Sequence, residues 1–497
     1  MSVRPTSRRG GRPLVVAIDI GSSSVRAGLF RADATPYSRT FVQVRYAPTI
    51  DGRGGVSIEF ARLFDLLAET LDGFVARAGA RLDRVVAVGI SCFLHSLAAL
   101  DRGGRPISPL LTWADTTSAA KAEDLRRRLD PAATWQETGA PLHASYWPAK
   151  ILALRETVGS PAVRWAGAPE LLFGELTGQR SIDLSHASGT GLLDRRSATW
   201  HRTMLETLAI DAAALPTISP AAASARLSGP AARRWPALAG APWFVPWSDA
   251  LCGNVGLGCV EGTSTALQVG TSGAIRAIAE QPAPVLPDGL FGHRLADGTA
   301  LVGGQLSEGG GVAAAVARLL GRSMPSLESA ASKLPPAAHG LAVLPYLAGE
   351  RGPGYHAAAR GALTGVGLAT APEEVFRAVL ESIALDFAAL DRRLGTVVGG
   401  PPRVVASGGA LARSPLLADI LAGALGRPIE LSSEAEASTR GAAALALAAA
   451  GVIASPAALA APATTTIRPQ AAAVDAYRAA AERQADLYAR LLAPDPR

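Results

Sequence analysis

The chain has 497 residues and a mass of 50.8 kDa, enough for two large domains or three ordinary ones. Hydrophobic residues make up 48% and charged residues 18%, so the composition excludes an intrinsically disordered protein. The net charge of +6 is not concentrated in a basic stripe with interleaved aromatic residues, which argues against a nucleic-acid partner. A mild excess of positive charge suits anionic small molecules.

The cysteines Cys92, Cys252 and Cys259 form no CxxC motif and no disulfide framework, which indicates a reducing, cytoplasmic location. Residues 1–13 are basic and lack the apolar core of a signal peptide, so we predict a disordered tail. Residues 441–466 carry no charge, but their many alanines and the interrupting glycine and proline favour a buried helix over a membrane span. We therefore expect no membrane partner, and a homodimer is left open.

In chain order, the first half alternates apolar β-branched runs with one long amphipathic pattern, which predicts an α/β fold with a mixed sheet. The first two strands are separated by only four residues, so Gly21–Ser24 is predicted to be a hairpin turn. The predicted strands and helix are 14–20, 25–30, 41–46, 60–78 (the helix) and 84–90.

Two segments half a chain apart resemble each other. Ala17–Ser23 reads AIDIGSS, and Ala266–Ser272 reads ALQVGTS. Because each is an apolar strand that ends in a glycine and hydroxyl residues, we expect two related lobes that each open with the same hairpin. A chance match of seven residues is the alternative. A stretch rich in proline, alanine, serine and glycine at 214–247 places the division at residue 245, giving lobes 14–245 and 246–497.

Two helices are predicted in the second half. The first begins at Thr370–Glu373, where a threonine three residues before a glutamate has the spacing of a capping box and a proline lies just inside. The second covers 471–492, where apolar residues recur at helical spacing, and is expected to pack against the second lobe.

The first hairpin has the composition of a phosphate-binding turn. Gly21 lets backbone N–H groups approach a phosphate closely, and Ser22, Ser23 and Ser24 add hydroxyl donors. Asp19, at the end of the preceding strand, can hold a hydrated Mg²⁺. The alternative is an ordinary serine-rich hairpin with Asp19 capping the turn.

Two further turns in the second half are candidates for nucleotide contacts. Gly270–Gly273 repeats the first hairpin with Gln268 in the place of Asp19, so a metal is expected on the first hairpin only. Ser407–Gly409 joins a predicted strand to a helix, where a diglycine allows a flat adenine or ribose to lie against the backbone. A simple tight turn remains the alternative for both.

Asp249 follows an apolar strand at the division between the lobes. It is either the cap of the next helix or a general base that accepts a hydroxyl proton during phosphoryl transfer. In the first half, side chains at the ends of apolar segments could bind hydroxyls or a carboxylate, or could simply be packed in the core: these are His95, Trp113, Asp115 and His143.

Other routes to catalysis are excluded by what the sequence lacks. No Gly-Lys-Ser/Thr motif is present, which excludes a P-loop, and no histidines have the spacing of zinc ligands.

Taken in order, the motifs resemble those of the FGGY carbohydrate kinases, which belong to the actin-like ATPase superfamily. The resemblance extends from residue 14 to residue 451 and is most similar to the gluconate kinase branch. Its motifs are Asp19–Arg26, Gly89–His95, Trp113–Asp115, Ser185–Gly191, Ser248–Ala250, Gly270–Gly273, Leu344–Arg351, Ser407–Ala410 and Gly441–Ala443.

This resemblance implies two actin-like lobes around a cleft, with the sugar mainly on the first lobe and ATP mainly on the second. It implies that Asp249 is the catalytic base and also contacts the sugar, and that Asp19 holds Mg²⁺. The implied phosphate and nucleotide contacts are Gly21, Ser22, Ser23, Ser24, Arg26, Gly270, Thr271, Ser272, Gly273, Gly408, Gly409 and Ala410. The implied sugar contacts are His95, Trp113, Asp115 and His143.

Three positions depart from the family pattern. Thr117 replaces an arginine, Glu308 stands where relatives often have asparagine, and Gly352–Tyr355 replaces the usual segment after Glu-Arg. Three hypotheses therefore follow. They are a gluconate kinase, a kinase for another sugar or polyol such as xylulose, ribulose or glycerol, and an ATP-binding regulator without catalysis.

Overall fold

The structure, a computed structural model, describes residues 11–159, 163–400 and 402–492. The first part of the chain forms the strands β1 (Leu14–Ile20), β2 (Ser24–Arg31), β3 (Val42–Arg45), β4 (Thr49–Ile50), β5 (Val56–Ile58), β6 (Val85–Cys92), β7 (Ala98–Leu100), β8 (Leu110–Leu111), β9 (Arg164–Ala166), β10 (Ser181–Ile182), β11 (Leu193–Asp194), β12 (Thr199–Trp200), β13 (Thr217–Ile218), β14 (Ser224–Ala225), β15 (Trp243–Phe244) and β16 (Trp247–Ser248). Its helices are α1 (Phe60–Ala78), α2 (Ala119–Arg128), α3 (Pro131–Thr138), α4 (Trp147–Val158), α5 (Ala168–Thr177), α6 (Leu184–Ser188), α7 (Arg202–Leu208), α8 (Gly229–Arg234) and α9 (Asp249–Gly256).

The second part forms the strands β17 (Ser264–Val269), β18 (Gly273–Ala279), β19 (Phe291–Arg294), β20 (Ala300–Leu306), β21 (Ala342–Leu344), β22 (Ala362–Thr364), β23 (Arg403–Ser407), β24 (Ile429–Ser432) and β25 (Thr464–Ile467). Its helices are α10 (Gly310–Leu319), α11 (Met324–Ala331), α12 (Pro372–Val398), α13 (Gly409–Arg413), α14 (Pro415–Leu425), α15 (Ala437–Ala449) and α16 (Ala471–Leu492). Short 3-10 helices cover Ser38–Thr40, Gly79–Arg84, Ala212–Ala214 and Pro456–Ala458.

Two seven-stranded mixed sheets repeat one pattern of strand directions. In the first sheet, the β1–β2 hairpin has β6 parallel to β1 on one side and β3 antiparallel to β2 on the other. In the second, the β17–β18 hairpin has β23 parallel to β17 and β20 antiparallel to β18. The predicted α/β class, the mixed sheets and the two related hairpins are therefore confirmed.

The first sheet continues beyond the predicted division at residue 245, because β16 pairs in parallel with β6. The segment from 214 to 247 also contributes β13, β14, α8 and β15. The assignment of lobes 14–245 and 246–497 stays a prediction.

Helices α9 and α15 pack backbone to backbone between the sheets. A Cβ atom on Gly256 would lie 1.7 Å from the carbonyl oxygen of Ala437, and one on Gly441 would lie 1.8 Å from that of Cys252. The charge-free segment that begins at Gly441 thus enters a buried helix, as predicted. In the described part of the chain, no helix is long and apolar enough to cross a membrane.

The capping-box prediction for α12 is wrong by one residue. Pro372 takes the first helical position, so Ala371 is the N-cap, and its N–H donates to the Glu374 carboxylate at 2.8 Å. Thr370 instead accepts a hydrogen bond from the N–H of Gly367. Helices α1 and α16 have their predicted bounds. Most of the predicted disordered tail, residues 1–10, lies outside the described residues.

Candidate active site

The first hairpin brings Ser22 to the cleft between the two sheets, and Ser23, the next residue, is exposed. Its turn is closed by the Gly21 N–H, which donates to the Ser24 carbonyl at 2.9 Å, and the Tyr46 hydroxyl donates to the Gly21 carbonyl at 2.7 Å. Ser24 is buried, and its hydroxyl lies 3.2 Å from the Gln43 amide. Ser22 lines the cleft, so it is the member of the trio best placed to contact a ligand there.

Asp19 is buried at the end of β1, directly behind this turn. The Ser91 hydroxyl donates to its Oδ1 at 2.8 Å, and Nη1 of Arg26 lies 3.4 Å from its Oδ2. Burial raises the pKa of Asp19, whereas Arg26 and Ser91 oppose that rise. Arg26 also pairs with Glu436 at 3.1 Å, so this predicted phosphate ligand is already engaged by two carboxylates.

The carboxylate of Asp19 fits a hydrated Mg²⁺ that is bound mainly through phosphates, because this ion keeps several waters and needs only one or two protein carboxylates. The long contact to Arg26 leaves Oδ2 with spare acceptor capacity. Among the described residues, no group of three or more His, Cys, Asp or Glu side chains could hold a metal, so a fully protein-built metal cage is not present there.

The second hairpin, Gly270–Ser272, is fastened to the start of α10. Gly270 N–H donates to Ser272 O at 2.9 Å, while the Gly270 carbonyl accepts from Gly310 N–H at 2.9 Å and the Thr271 carbonyl accepts from Gly311 N–H at 3.1 Å. A Cβ on Gly309 would lie 2.8 Å from the Thr271 carbonyl. Glycine at this position therefore permits the turn and the helix to make this close contact.

Gly408 lets β23 turn sharply into α13 beside the end of β17. Its φ is +114°, and a Cβ there would lie 2.3 Å from the carbonyl oxygen of Val269. Beyond this turn, a cavity of about 720 Å³ opens between α10, α11 and α14, and Ala410 lines it. Gly408 and Gly409 precede Ala410 in the chain but are not among the residues that line the cavity, which is large enough for a nucleoside. Met324 and Arg413, which line it too, were not predicted.

Asp249 is the first residue of α9, and Ser248 is the N-cap, whose hydroxyl accepts from the Leu251 N–H at 3.3 Å. The alternative that Asp249 is the cap is therefore wrong. Asp249 is half-buried in a cavity of about 250 Å³ that Ser22 and Gly270 also line, and we call it the cleft cavity. Burial and the Asp19 charge raise the pKa of Asp249 to about 6, against the opposing charge of Arg276.

His95 and His143 reach the cleft as neutral rings of opposite tautomer. His95 Nδ1 lies 2.7 Å from the Gly189 carbonyl, so this nitrogen carries the proton and Nε2 can accept. His143 Nδ1 accepts from the Ser145 N–H at 3.1 Å, so its buried Nε2 is a donor, and no partner for it exists among the described residues. Burial lowers the pKa of His143 to about 3 and that of His95 well below its usual range.

Trp113 separates the cleft cavity from an adjoining cavity of about 270 Å³, which His143 also lines. Lys150 holds the Trp113 segment from behind. Its buried amine donates to the His95 and Thr112 carbonyls, both at 2.7 Å, and burial lowers the pKa of Lys150 to about 7. Lys150 was not predicted, because a lone lysine in a helix has no motif that signals burial.

Asp115 is not brought to the cleft. It is fully buried, its carboxylate accepts from the Val56 N–H at 3.0 Å and the Thr117 hydroxyl at 2.6 Å, and it lines neither of these two cavities. Its geometry fits a residue that fixes the loop carrying Trp113. Thr117, at the position of the expected arginine, donates its hydroxyl hydrogen bond to this carboxylate.

Three polar side chains of the cleft cavity were not predicted individually: Gln305, Arg276 and Arg351. Arg351 ends the Leu344–Arg351 motif, and period-two alternation along β18 would have placed Arg276 on the same face as Ala274, which lines the cavity. Glu308 lies outside this cavity. It is fully buried without a partner for either carboxylate oxygen among the described residues, and burial raises its pKa well above the usual range.

Comparison with known proteins identifies the family. The chain is 26% identical over 448 residues to the gluconokinase of Bacillus subtilis, covering 87% of this chain and 86% of that one. It is 29% identical to the xylulose kinase of Streptomyces rubiginosus, with 69% and 68% covered. The structure resembles that of gluconate kinase from Lactobacillus acidophilus, with a TM-score of 0.89, 24% identity, and 97% and 99% covered. Residues 14–256 match the N-terminal domain and residues 257–450 the C-terminal domain of one family, so the chain belongs to the FGGY family of carbohydrate kinases.

Proposed function

We propose that this protein transfers the γ-phosphate of ATP to the terminal hydroxyl of a sugar acid, with D-gluconate as the substrate and 6-phosphogluconate as the product. The observation that carries this proposal is Asp249. This carboxylate lies in one cavity with Ser22 of the first hairpin and Gly270 of the second. A base between two phosphate-binding turns is the arrangement that in-line phosphoryl transfer to a hydroxyl requires.

Asp249 accepts the proton of the attacking hydroxyl. With a pKa raised to about 6, it is deprotonated near neutral pH yet more basic than an ordinary aspartate, which suits a general base. Asp19 and the phosphates would hold Mg²⁺, which supplies positive charge that stabilises the transferring phosphoryl group. The hairpin N–H and hydroxyl groups position the phosphates.

The second-lobe cavity of about 720 Å³ suits the nucleoside, and its link to the phosphate turn through α10 supports that assignment. His95, Trp113 and His143 line the sugar end of the cleft, where a neutral acceptor, an indole face and a neutral donor suit hydroxyl groups. Closure of the two lobes would exclude water, which otherwise competes for the phosphoryl group. The free buried cysteines fit a cytoplasmic protein, and a homodimer stays a prediction.

A neutral sugar is the second candidate, since xylulose kinases are among the relatives and Thr117 leaves no arginine on the first lobe at that position. The cleft cavity is lined by two guanidinium groups, those of Arg276 and Arg351, against the single carboxylate of Asp249, and this excess of positive charge favours an acidic substrate instead.

The decisive experiment measures ADP release by the purified protein with Mg-ATP and D-gluconate, D-xylulose, D-ribulose or glycerol, and identifies the product by ³¹P NMR. Turnover on gluconate that is lost in the Asp249→Asn variant supports the proposal. Turnover on a neutral sugar alone would replace the substrate and keep the mechanism. ATP binding without turnover on any substrate would favour a regulator.

A further inference from the structure

The cleft cavity contains two guanidinium groups that lack a carboxylate partner. Arg276 and Arg351 both line it, and neither forms an ion pair with an Asp or Glu side chain within 4.0 Å among the described residues, although the charge of Asp249 acts on both. Asp249 is the one acidic residue among those that line this cavity. Because isolated charge is unfavourable in a partly desolvated site, such a pair indicates an anionic ligand.

The Arg276 side chain is held in place by its neighbours, but only some of its N–H groups have hydrogen-bond partners. Its Nη1 donates to the neutral amide oxygen of Gln268 at 2.6 Å, and its buried Nε has no partner. Its stem is confined by β20, where a Cβ on Gly303 would lie 2.8 Å from Cγ of Arg276. Burial lowers the pKa of Arg276 to about 10, and the charge of Asp249 opposes that fall only in part.

Arg351 approaches from the loop after β21. Its Cζ lies 4.9 Å from the centroid of the Trp113 ring, and its buried Nε also has no partner. Stacking on an indole holds the guanidinium plane while leaving its N–H edge free to donate. Arg351 lines both the cleft cavity and the adjoining cavity, so it reaches the sugar end of the site.

The other basic side chains near the cleft are either neutral or already hydrogen-bonded to the protein. His95 and His143 are neutral rings, and Lys150 donates to two carbonyls behind the Trp113 segment. The hydroxyl of Thr117 is bonded to Asp115. The positive charge that faces the substrate therefore comes from the second lobe.

We propose that Arg276 and Arg351 form the carboxylate subsite of this kinase and so replace the arginine that is missing at position 117. This inference rests on the proposed function. Arginine suits the role because its planar fork donates two parallel hydrogen bonds to a carboxylate. The γ-phosphate of ATP is the competing anion, and the experiment separates the two.

The test compares Arg276→Met and Arg351→Met with the wild type and with Arg318→Met, a control on the exposed side of α10 that removes the same charge. The Michaelis constants for gluconate and ATP are measured, together with turnover of D-glucitol, the neutral polyol with the same carbon chain. We expect each cleft variant to raise the gluconate KM about 10- to 100-fold, since hydrogen bonds to charged groups contribute at that level. The ATP KM should change less than about threefold, and the preference for gluconate over glucitol should collapse by the same factor as the gluconate KM rises.

The conservative variants Arg276→Lys and Arg351→Lys keep the charge but lose the fork, and intermediate values are expected for them. Cleft variants that raise the ATP KM and leave the gluconate KM unchanged would assign the pair to phosphate and overturn the subsite, while the gluconate kinase itself stands.

Calorimetry of gluconate binding without ATP separates the two proposals. Gluconate binding by the wild type that both Met variants lose supports the subsite even if turnover is absent, in which case the proposed function fails by itself. A wild type that binds glucitol as tightly as gluconate overturns the subsite. Melting curves and ATP binding confirm that each variant is folded.

Discussion

Replacing Asp249 with asparagine should separate catalysis from stability. The substitution keeps the size of the side chain but removes the base, so kcat should fall by about 10²- to 10⁴-fold, the usual contribution of general acid–base catalysis. ATP binding should hardly change, because the proposed nucleotide contacts lie on the hairpins and in the second-lobe cavity. In the wild type, kcat/KM should fall as the pH decreases below the Asp249 pKa of about 6.

Whereas kcat should fall, the free energy of unfolding should rise in the Asp249→Asn variant. The pKa of Asp249 rises from 3.8 to about 6 on folding, so the folded state binds its proton more tightly than the unfolded state does. The stability that this group contributes is fully present below pH 3.8 and is lost as the pH rises through 6. Two pKa units correspond to about 3 kcal/mol, and the half-exposed setting of the side chain in the cleft reduces that value. We therefore expect Asp249→Asn to unfold with a free energy on the order of 1–3 kcal/mol higher than the wild type at pH 8.

Urea denaturation at pH 8 and at pH 4, combined with single-turnover kinetics, checks both expectations. The matched control is Asp65→Asn on the exposed side of α1, which should change neither quantity. The advantage of Asp249→Asn should shrink between pH 8 and pH 4. A variant that loses stability at pH 8, or one that retains wild-type turnover on the true substrate, would refute the assignment of a half-buried base with a raised pKa at this position.

Three further substitutions test the frame of the site. Gly256→Ala would place a Cβ 1.7 Å from a backbone oxygen of α15 and should lower stability by at least about 1–3 kcal/mol in urea denaturation, whereas Gly52→Ala, with nothing within 4 Å, should be neutral. Gly408→Ala forces a φ of +114° on a residue with a Cβ and should weaken ATP binding at least about tenfold by calorimetry, and unchanged binding would contradict a role for this turn. Lys150→Met removes two carbonyl hydrogen bonds behind the proposed sugar pocket and should raise the sugar KM while leaving the ATP KM unchanged in steady-state kinetics.

Much of the fold could be predicted from local pattern. The segment 14–20 is an apolar run rich in β-branched residues that a glycine follows, and the structure has β1 with these bounds, fully buried. The seven-residue similarity between the two hairpins extends to matching strand directions around each of them, because a hairpin at the centre of a mixed sheet constrains which strands can pair on each side. The start of α12 was misplaced by one residue because proline, rather than threonine, decides where the first turn begins.

The site was less predictable, because contacts between distant segments decide what each polar residue does. Asp115 and Asp249 both follow apolar segments in the sequence. The Asp115 carboxylate accepts hydrogen bonds from the Val56 N–H and a threonine hydroxyl, whereas Asp249 faces a cavity. Arg276 shows the opposite case. Sequence alternation places it on the face of β18 that also carries Ala274. Its role becomes visible only in the folded chain, where the cavity that it lines contains no acidic residue other than Asp249. An excess of guanidinium groups over carboxylates in one cavity is a property of the folded chain, and this excess, rather than any motif, indicates an anionic ligand.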